Sequence, residues 1–199
     1  MHTPLRIFFY LLYHPLAALY DLVAALVSFG KWRQWVLSVI PYVEGERLLE
    51  LGHGPGHLQK ALHERGYYAF GLDLSRQMGQ LAKRKLGNSH RLVRGKAQAL
   101  PFPNEAFSCI VATFPSEYIL ERSTLEEARR VLKAEGKILV IPGIRFRATG
   151  WLWKLLRRIW KVTEQDTLPP LPALEGLQWE ERTIPEQHVD VILWIGHKR

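Results

Sequence analysis

Residues 48–58 read LELGHGPGHLQ and hold the clearest chemical pattern in the chain. Gly52, Gly54 and Gly56 alternate after a short apolar run and before a helical pattern. Glycine at such a turn lets the backbone bend sharply and approach a ligand closely. Loops of this kind usually cradle phosphate, but two phosphate-binding patterns fail here. A P-loop requires Gly-Lys-Ser/Thr, and none follows. A dinucleotide loop requires G-x-G-x-x-G, and counting from Gly52 puts His57 where the third glycine belongs. Glu50, at the mouth of the loop, would repel a pyrophosphate. A carboxylate in that place suits a ligand carrying a positive amine.

The elements that must position this loop alternate from residue 46 onward. Strands are expected at 47–51, 67–74, in RLVRG, at 107–114 and at 137–143, with helices at 57–66, 75–87 and 123–136. Ser75 is the expected N-cap and Gly87 the stop of the second helix, while Ser123 and Glu126 form a capping box for the third. Such alternation implies a parallel sheet with helices on both faces. LQWEERTI and HVDVILWIGHK add two strands with no helix between them, hence an antiparallel pair at one edge. TLPPLPALEG (167–176) is the one linker-like stretch. In an open sheet of this class, ligands sit at the carboxyl ends of the strands, where the strand order reverses.

Glu50 and the alternating glycines resemble the first motif of the class I S-adenosylmethionine-dependent methyltransferases, here ELGHGPG, and the likeness extends over 46–143. GLDLS places Asp73 where that family's acidic residue bonds both ribose hydroxyls. GKAQALPFPNEAFSCIVATF resembles the stretch Gly-Asp-Ala-x-x-Leu-Pro-Phe followed by Phe-Asp-x-Val, and is closest to the small-molecule branch that includes the ubiquinone/menaquinone biosynthesis enzymes. The resemblance implies a Rossmann-like, three-layer α/β/α fold with a seven-stranded, mainly parallel sheet. It implies S-adenosylmethionine as cofactor, with S-adenosylhomocysteine as product. The cofactor positions it implies are Glu50, Gly52, His53, Gly54 and Gly56 in the loop, then Asp73, Leu74 and Met78. Ala97, Gln98, Thr113 and Phe114 complete the set, with Tyr20 from the N-terminal helices closing over it.

Two positions depart from the family pattern. Lys96 stands where an aspartate usually accepts from the adenine amino group, and a lysine has no acceptor. Adenine recognition then rests on the backbone at Ala97 and on Gln98. Cys109 replaces a commonly structural aspartate. FPSEY (114–118) follows the fourth strand, where this fold faces the methyl acceptor, so Glu117 and Tyr118 are the candidates for orienting it. The Asn/Asp-Pro-Pro-Tyr/Phe signature for exocyclic amines is absent from that stretch.

The remaining features bound the reading. The 199 residues, 47% hydrophobic, suit one compact domain, expected at 46–199, with an N-terminal helical extension at 1–45 as a cap over the site or a membrane-surface contact. Ile7–Phe29 is apolar but holds His14, Pro15 and Asp21, which points to two helices broken near Pro15 rather than a span. Cys109 is the only cysteine, in keeping with a cytoplasmic protein, and His53, His57 and His63 match no metal-ligand pattern, so no metal is expected. In WLWKLLRRIWKV (151–162) an apolar arc with three tryptophans lies beside Lys154, Arg157, Arg158 and Lys161. That segment reads either as a helix covering the sheet or as a contact with an anionic membrane surface or a lipid-like acceptor, and the membrane contact would make the protein peripheral to the membrane. The net charge of +8 is compatible with RNA, but the cations concentrate in that one helix, so nucleic acid is the disfavoured partner. The function expected is methyl transfer to a small, hydrophobic or lipid-like acceptor. A non-catalytic S-adenosylmethionine-binding protein and an RNA-modifying methyltransferase are the alternatives.

Overall fold

β-Branched and leucine-rich runs build the centre of the sheet, and the first of them ends at Gly52. The computed structural model describes residues 19–87, 91–147, 157–158 and 168–199. Among the described residues two short helices come first, α1 (Tyr20–Ser28) and α2 (Trp32–Leu37), separated at Phe29 and Gly30, both left-handed. Then follow β1 (Arg47–Leu51), α3 (His57–Glu64), β2 (Tyr68–Asp73), α4 (Arg76–Leu86), β3 (Leu92–Arg94) and β4 (Phe107–Thr113). A 3-10 turn at Glu117–Leu120 leads to α5 (Arg122–Val131), β5 (Leu132–Phe146), β6 (Leu177–Pro185) and β7 (Val189–Lys198).

The seven strands are ordered β3-β2-β1-β4-β5-β7-β6. The first five in space are parallel, and β7 runs antiparallel between β5 and β6. From β1 the chain moves one way to β2 and β3, then returns to the other side as β4. The crevice between the ends of β1 and β4 is therefore the switch point.

Alternate residues of each strand face opposite ways, and this divides the core in two. Leu48, Val111, Leu139 and Ile141 pack with Leu58 and Leu62 of α3 and with Trp35, Val36 and Val39. Leu49, Ile110, Ile138 and Val140 face the other side, under Ala128 and Val131 of α5. The expected three-layer arrangement is thus present. α2 belongs to the first of these cores, since Trp35 is 2% exposed and Val39 fully buried.

The third helix differs from expectation. It starts at Arg122, with Glu121 as N-cap and no side-chain cap, so the Ser123–Glu126 capping box does not form. Glu126 instead meets Arg122 one turn back, at 2.8 Å. The helix ends at Val131 rather than Gly136, because fully buried Leu132 already pairs with Phe107 in the sheet. Lys133 to Gly136 form an excursion from the ladder, with Glu135 left-handed, before Lys137 resumes pairing with Cys109. The break near Pro15 and the tryptophans of 151–162 lie outside the described residues; Arg157 and Arg158 are helical and exposed. The proline-rich stretch has no regular element over 168–174, yet Leu168 and Leu174 pack on the second core. No described helix is long and apolar enough to cross a membrane.

Candidate functional site

The glycine loop is fixed to the end of β2. Gly52 and His53 donate their N–H groups to the Leu72 carbonyl, at 2.7 and 3.3 Å. The Asp73 carboxylate then joins loop to helix. One oxygen accepts from Gly54 N–H and the other from Ser75 N–H, each at 2.8 Å. Ser75 caps α4 as expected, its hydroxyl accepting from Met78 N–H at 3.2 Å.

Two glycines are required by contact as well as by backbone. A Cβ at Gly52, whose φ is 71°, would lie 2.6 Å from the Tyr118 hydroxyl oxygen. One at Gly56 (φ 82°) would lie 2.9 Å from Cβ of Ala82, so this position sets the approach of α3 to α4.

Glu50 is 2% exposed. Gln59 of α3, fully buried, donates its Nε2 to Glu50 at 2.9 Å and to the Phe70 carbonyl at 3.1 Å. Burial pushes the Glu50 carboxyl up to about 8; the Gln59 hydrogen bond opposes this, and the charge of Asp73 adds to it. A buried carboxyl without a cationic partner among the described residues fits a ligand ammonium group. Gln59 escaped the sequence reading, because a lone polar residue in a helix pattern reads as solvent-facing. His53 is also buried, and burial holds its imidazole below its usual range despite the nearby Asp73 charge. Its Nδ1 donates to the Gly54 carbonyl at 2.7 Å, stiffening the loop.

At the end of β4, Phe114 is left-handed (φ 49°) and donates its N–H to Ile141 at 2.8 Å. For a bulky residue this is a costly conformation, held by its surroundings. The Phe114 ring lies 4.3 Å from Trp32, and Trp32 meets Tyr20 edge-on at 6.4 Å. An aromatic series thus links α1 to the switch point. Trp32 is a second residue that sequence reading missed. Tyr118 donates its hydroxyl to the Leu51 carbonyl at 3.1 Å, next to the loop, whereas Glu117 is exposed.

The other expected positions are more scattered. Leu74 is 51% exposed beside Asp73, but Met78 is 1% exposed and turned into the core, presenting no side-chain surface to a ligand in this conformation. Thr113 is half-buried at the end of β4. Ala97 is buried, Gln98 donates to Glu121 at 2.8 Å, and Lys96 is exposed. His57 bonds Asp21 of α1 at 2.8 Å through Nε2, and Lys85 lies 3.4 Å from the same carboxylate. Among the described residues no group of three potential ligands could hold a metal ion.

A family model described as a methyltransferase domain matches residues 49–140, the span that contains the loop, Asp73 and β4. A demethylmenaquinone methyltransferase of Thermotoga maritima is 32% identical over 158 residues, covering 75% of this chain and 69% of that protein. The chain belongs to the class I S-adenosylmethionine-dependent methyltransferases.

This methyltransferase is also 28% identical over 178 residues to a ubiquinone/menaquinone biosynthesis C-methyltransferase of Geotalea uraniireducens, covering 83% of this chain and 72% of that one. In fold it is similar to a geranyl diphosphate C-methyltransferase of Streptomyces coelicolor, solved with S-adenosyl-L-homocysteine (TM-score 0.57, 13% identity, 83% and 79% of the two chains covered). Its methyl donor is S-adenosylmethionine, and it is an enzyme acting on a small molecule.

Proposed function

We propose that this methyltransferase methylates a hydrophobic, lipid-like acceptor of the prenylated quinone-precursor type. What supports this most is the aromatic series Tyr20–Trp32–Phe114 at the switch point, together with relatives named for demethylmenaquinone and ubiquinone/menaquinone methylation. Bound S-adenosylmethionine supplies an electrophilic methyl group on a sulfonium. The side chains then have mainly to bind and align, because displacement at that carbon requires nucleophile, methyl and sulfur in line.

In this reading Glu50 takes the amine of the cofactor, and the Gly52–Gly56 loop lies along it. Asp73 holds the ribose through the lone pairs left over from Gly54 and Ser75, since each carboxylate oxygen accepts two hydrogen bonds. Leu74, Ala97 and Gln98 border the adenine, and His53 keeps the loop in shape. Thr113 and Phe114 meet the reacting end, with Glu117 and Tyr118 on the acceptor side. Tyr20 closes the site from α1. Contact of 151–162 with an anionic membrane surface, peripheral in character, belongs to the same reading.

The test is to incubate the protein with S-adenosylmethionine and detergent-dispersed demethylated quinols of short and long prenyl chain, beside small polar amines. Mass spectrometry should find a methyl added to the prenylated compounds and none on the amines. Methylation of the amines alone would overturn the proposal.

A further inference from the structure

α1 is turned inside out for a helix that covers a domain. Its buried positions are the small residues Ala24 and Ser28. Its leucines, with Leu19 at the N-cap, point the other way: Leu19, Leu22 and Leu26 are 47%, 58% and 66% exposed. They account for three of the five exposed leucines among the described residues. Their spacing (i, i+3, i+7) confines them to an arc of about 60°. Ala24 and Ser28 occupy the opposite side. A cover helix buries its leucines; this one presents them.

The flank of the stripe is basic. Asp21 is joined to Lys85 and His57, and Arg33 and Lys60 lie close enough to act on the Lys85 charge. Of the described carboxylates, Asp21 is paired there and Glu64 lies 3.8 Å from Lys60. Leucines on one side of a short helix with cations beside it are the signature of an interfacial helix on an anionic bilayer.

We propose that the Leu19–Leu22–Leu26 face of α1 docks on an anionic membrane surface, setting the mouth of the site against the bilayer from which a lipid-like acceptor enters. The inference rests on the acceptor reading above, and on residues other than 151–162. A second copy of the chain fits this face poorly. The stripe is about 10 Å long, far short of the roughly 800 Å² per partner of a stable interface. Two copies would also bring the same basic flank against itself, which an anionic bilayer does not. The aromatic contact from Tyr20 through Trp32 to Phe114 joins this face to the site.

The experiment is co-sedimentation of the full chain with acceptor-free vesicles of phosphatidylcholine, with and without phosphatidylglycerol. Wild type should sediment with the anionic vesicles at low salt, less so as salt screens the charges. Leu22→Glu/Leu26→Glu should weaken binding about tenfold or more, and Leu22→Gln/Leu26→Gln, gentler on the helix, should weaken it measurably. Both should keep the thermal shift produced by S-adenosylmethionine, which certifies the fold. Wild type that ignores anionic vesicles, or variants that bind them as wild type does, would overturn the proposal. So would a wild-type dimer that the variants abolish with vesicle binding unchanged. Because these vesicles hold no acceptor and the activity assay above uses detergent, failure of docking and failure of the acceptor reading give different results.

Discussion

Glu50 carries the most consequential electrostatics of the site. Burial raises its carboxyl from 4.5 to about 8, outweighing the Gln59 hydrogen bond, with Asp73 adding repulsion. The folded ligand-free protein therefore holds a proton that the unfolded chain gives up near 4.5. The stability linked to that proton is complete below 4.5 and is lost as pH rises toward 8, by up to about 1.4 kcal/mol per pH unit. Glu50→Gln should flatten this slope in denaturant melts between pH 5 and 8. A cationic ligand amine favours the ionised carboxylate, so binding of S-adenosylmethionine below pH 8 should expel a proton and tighten with pH up to about 8. Glu50→Gln should bind about tenfold or more weakly, without that proton. Calorimetry in two buffers of different ionisation enthalpy reads both effects. A wild-type affinity that ignores pH would show that Glu50 does not meet the amine.

At the scale of elements, α5 holds the segment after β3 in place. Arg130 donates to the Leu100 and Phe102 carbonyls at 3.0 and 2.8 Å and to the Asn104 side chain at 2.9 Å. Glu127 orients it at 2.6 Å and accepts from Leu100 N–H, also at 2.6 Å. Arg130→Ala would leave carbonyls of the 100–104 segment without their donor, at a cost of about 1–3 kcal/mol. Chemical denaturation should show that loss. Since Ala97 and Gln98 lie just before the segment, affinity for S-adenosylmethionine should fall by a few-fold as well. Full stability in the variant would mean that water replaces the arginine at no cost. The end of α5 at Val131, where Leu132 enters the sheet, belongs to this scale too. At the start of that helix Glu126 pairs with Arg122 instead of capping, and at its end the burial of Leu132 stops it at Val131.

Across the whole molecule, stability is uneven. α2, α3, α5 and the strands other than β3 share the two cores, but α1 is attached by small residues, the Tyr20–Trp32 contact and the Asp21–His57–Lys85 group. Burial pushes the Asp21 carboxyl up, but His57 and Lys85 together hold it below the usual carboxylate range. What it contributes is therefore present above its unfolded value of 3.8 and lost as pH falls below that. With Asp21 half exposed, an ion pair of this kind contributes no more than about 1 kcal/mol. Asp21→Asn should leave the global melt nearly unchanged while amides of Tyr20–Ser28 exchange faster with deuterium. A fall in global stability well beyond that figure would show α1 to be part of the cooperative core.

The sequence by itself determined the parallel sheet, its antiparallel edge pair and the glycine loop with Glu50 and Asp73. These signals are local: period-2 apolar runs, a serine cap, and glycines at strand ends, where backbone geometry admits little else. The methyltransferase family followed from motifs in order along the chain. Tertiary structure alone decided what lies opposite what. Gln59 beneath Glu50, Arg130 beneath 100–104 and Trp32 against Phe114 join residues far apart in sequence. No local pattern encodes such pairings. The orientation of α1 belongs with them, because its periodicity shows only that one side is apolar. Which side meets the protein is set by packing, and there small Ala24 and Ser28 allow the closer approach.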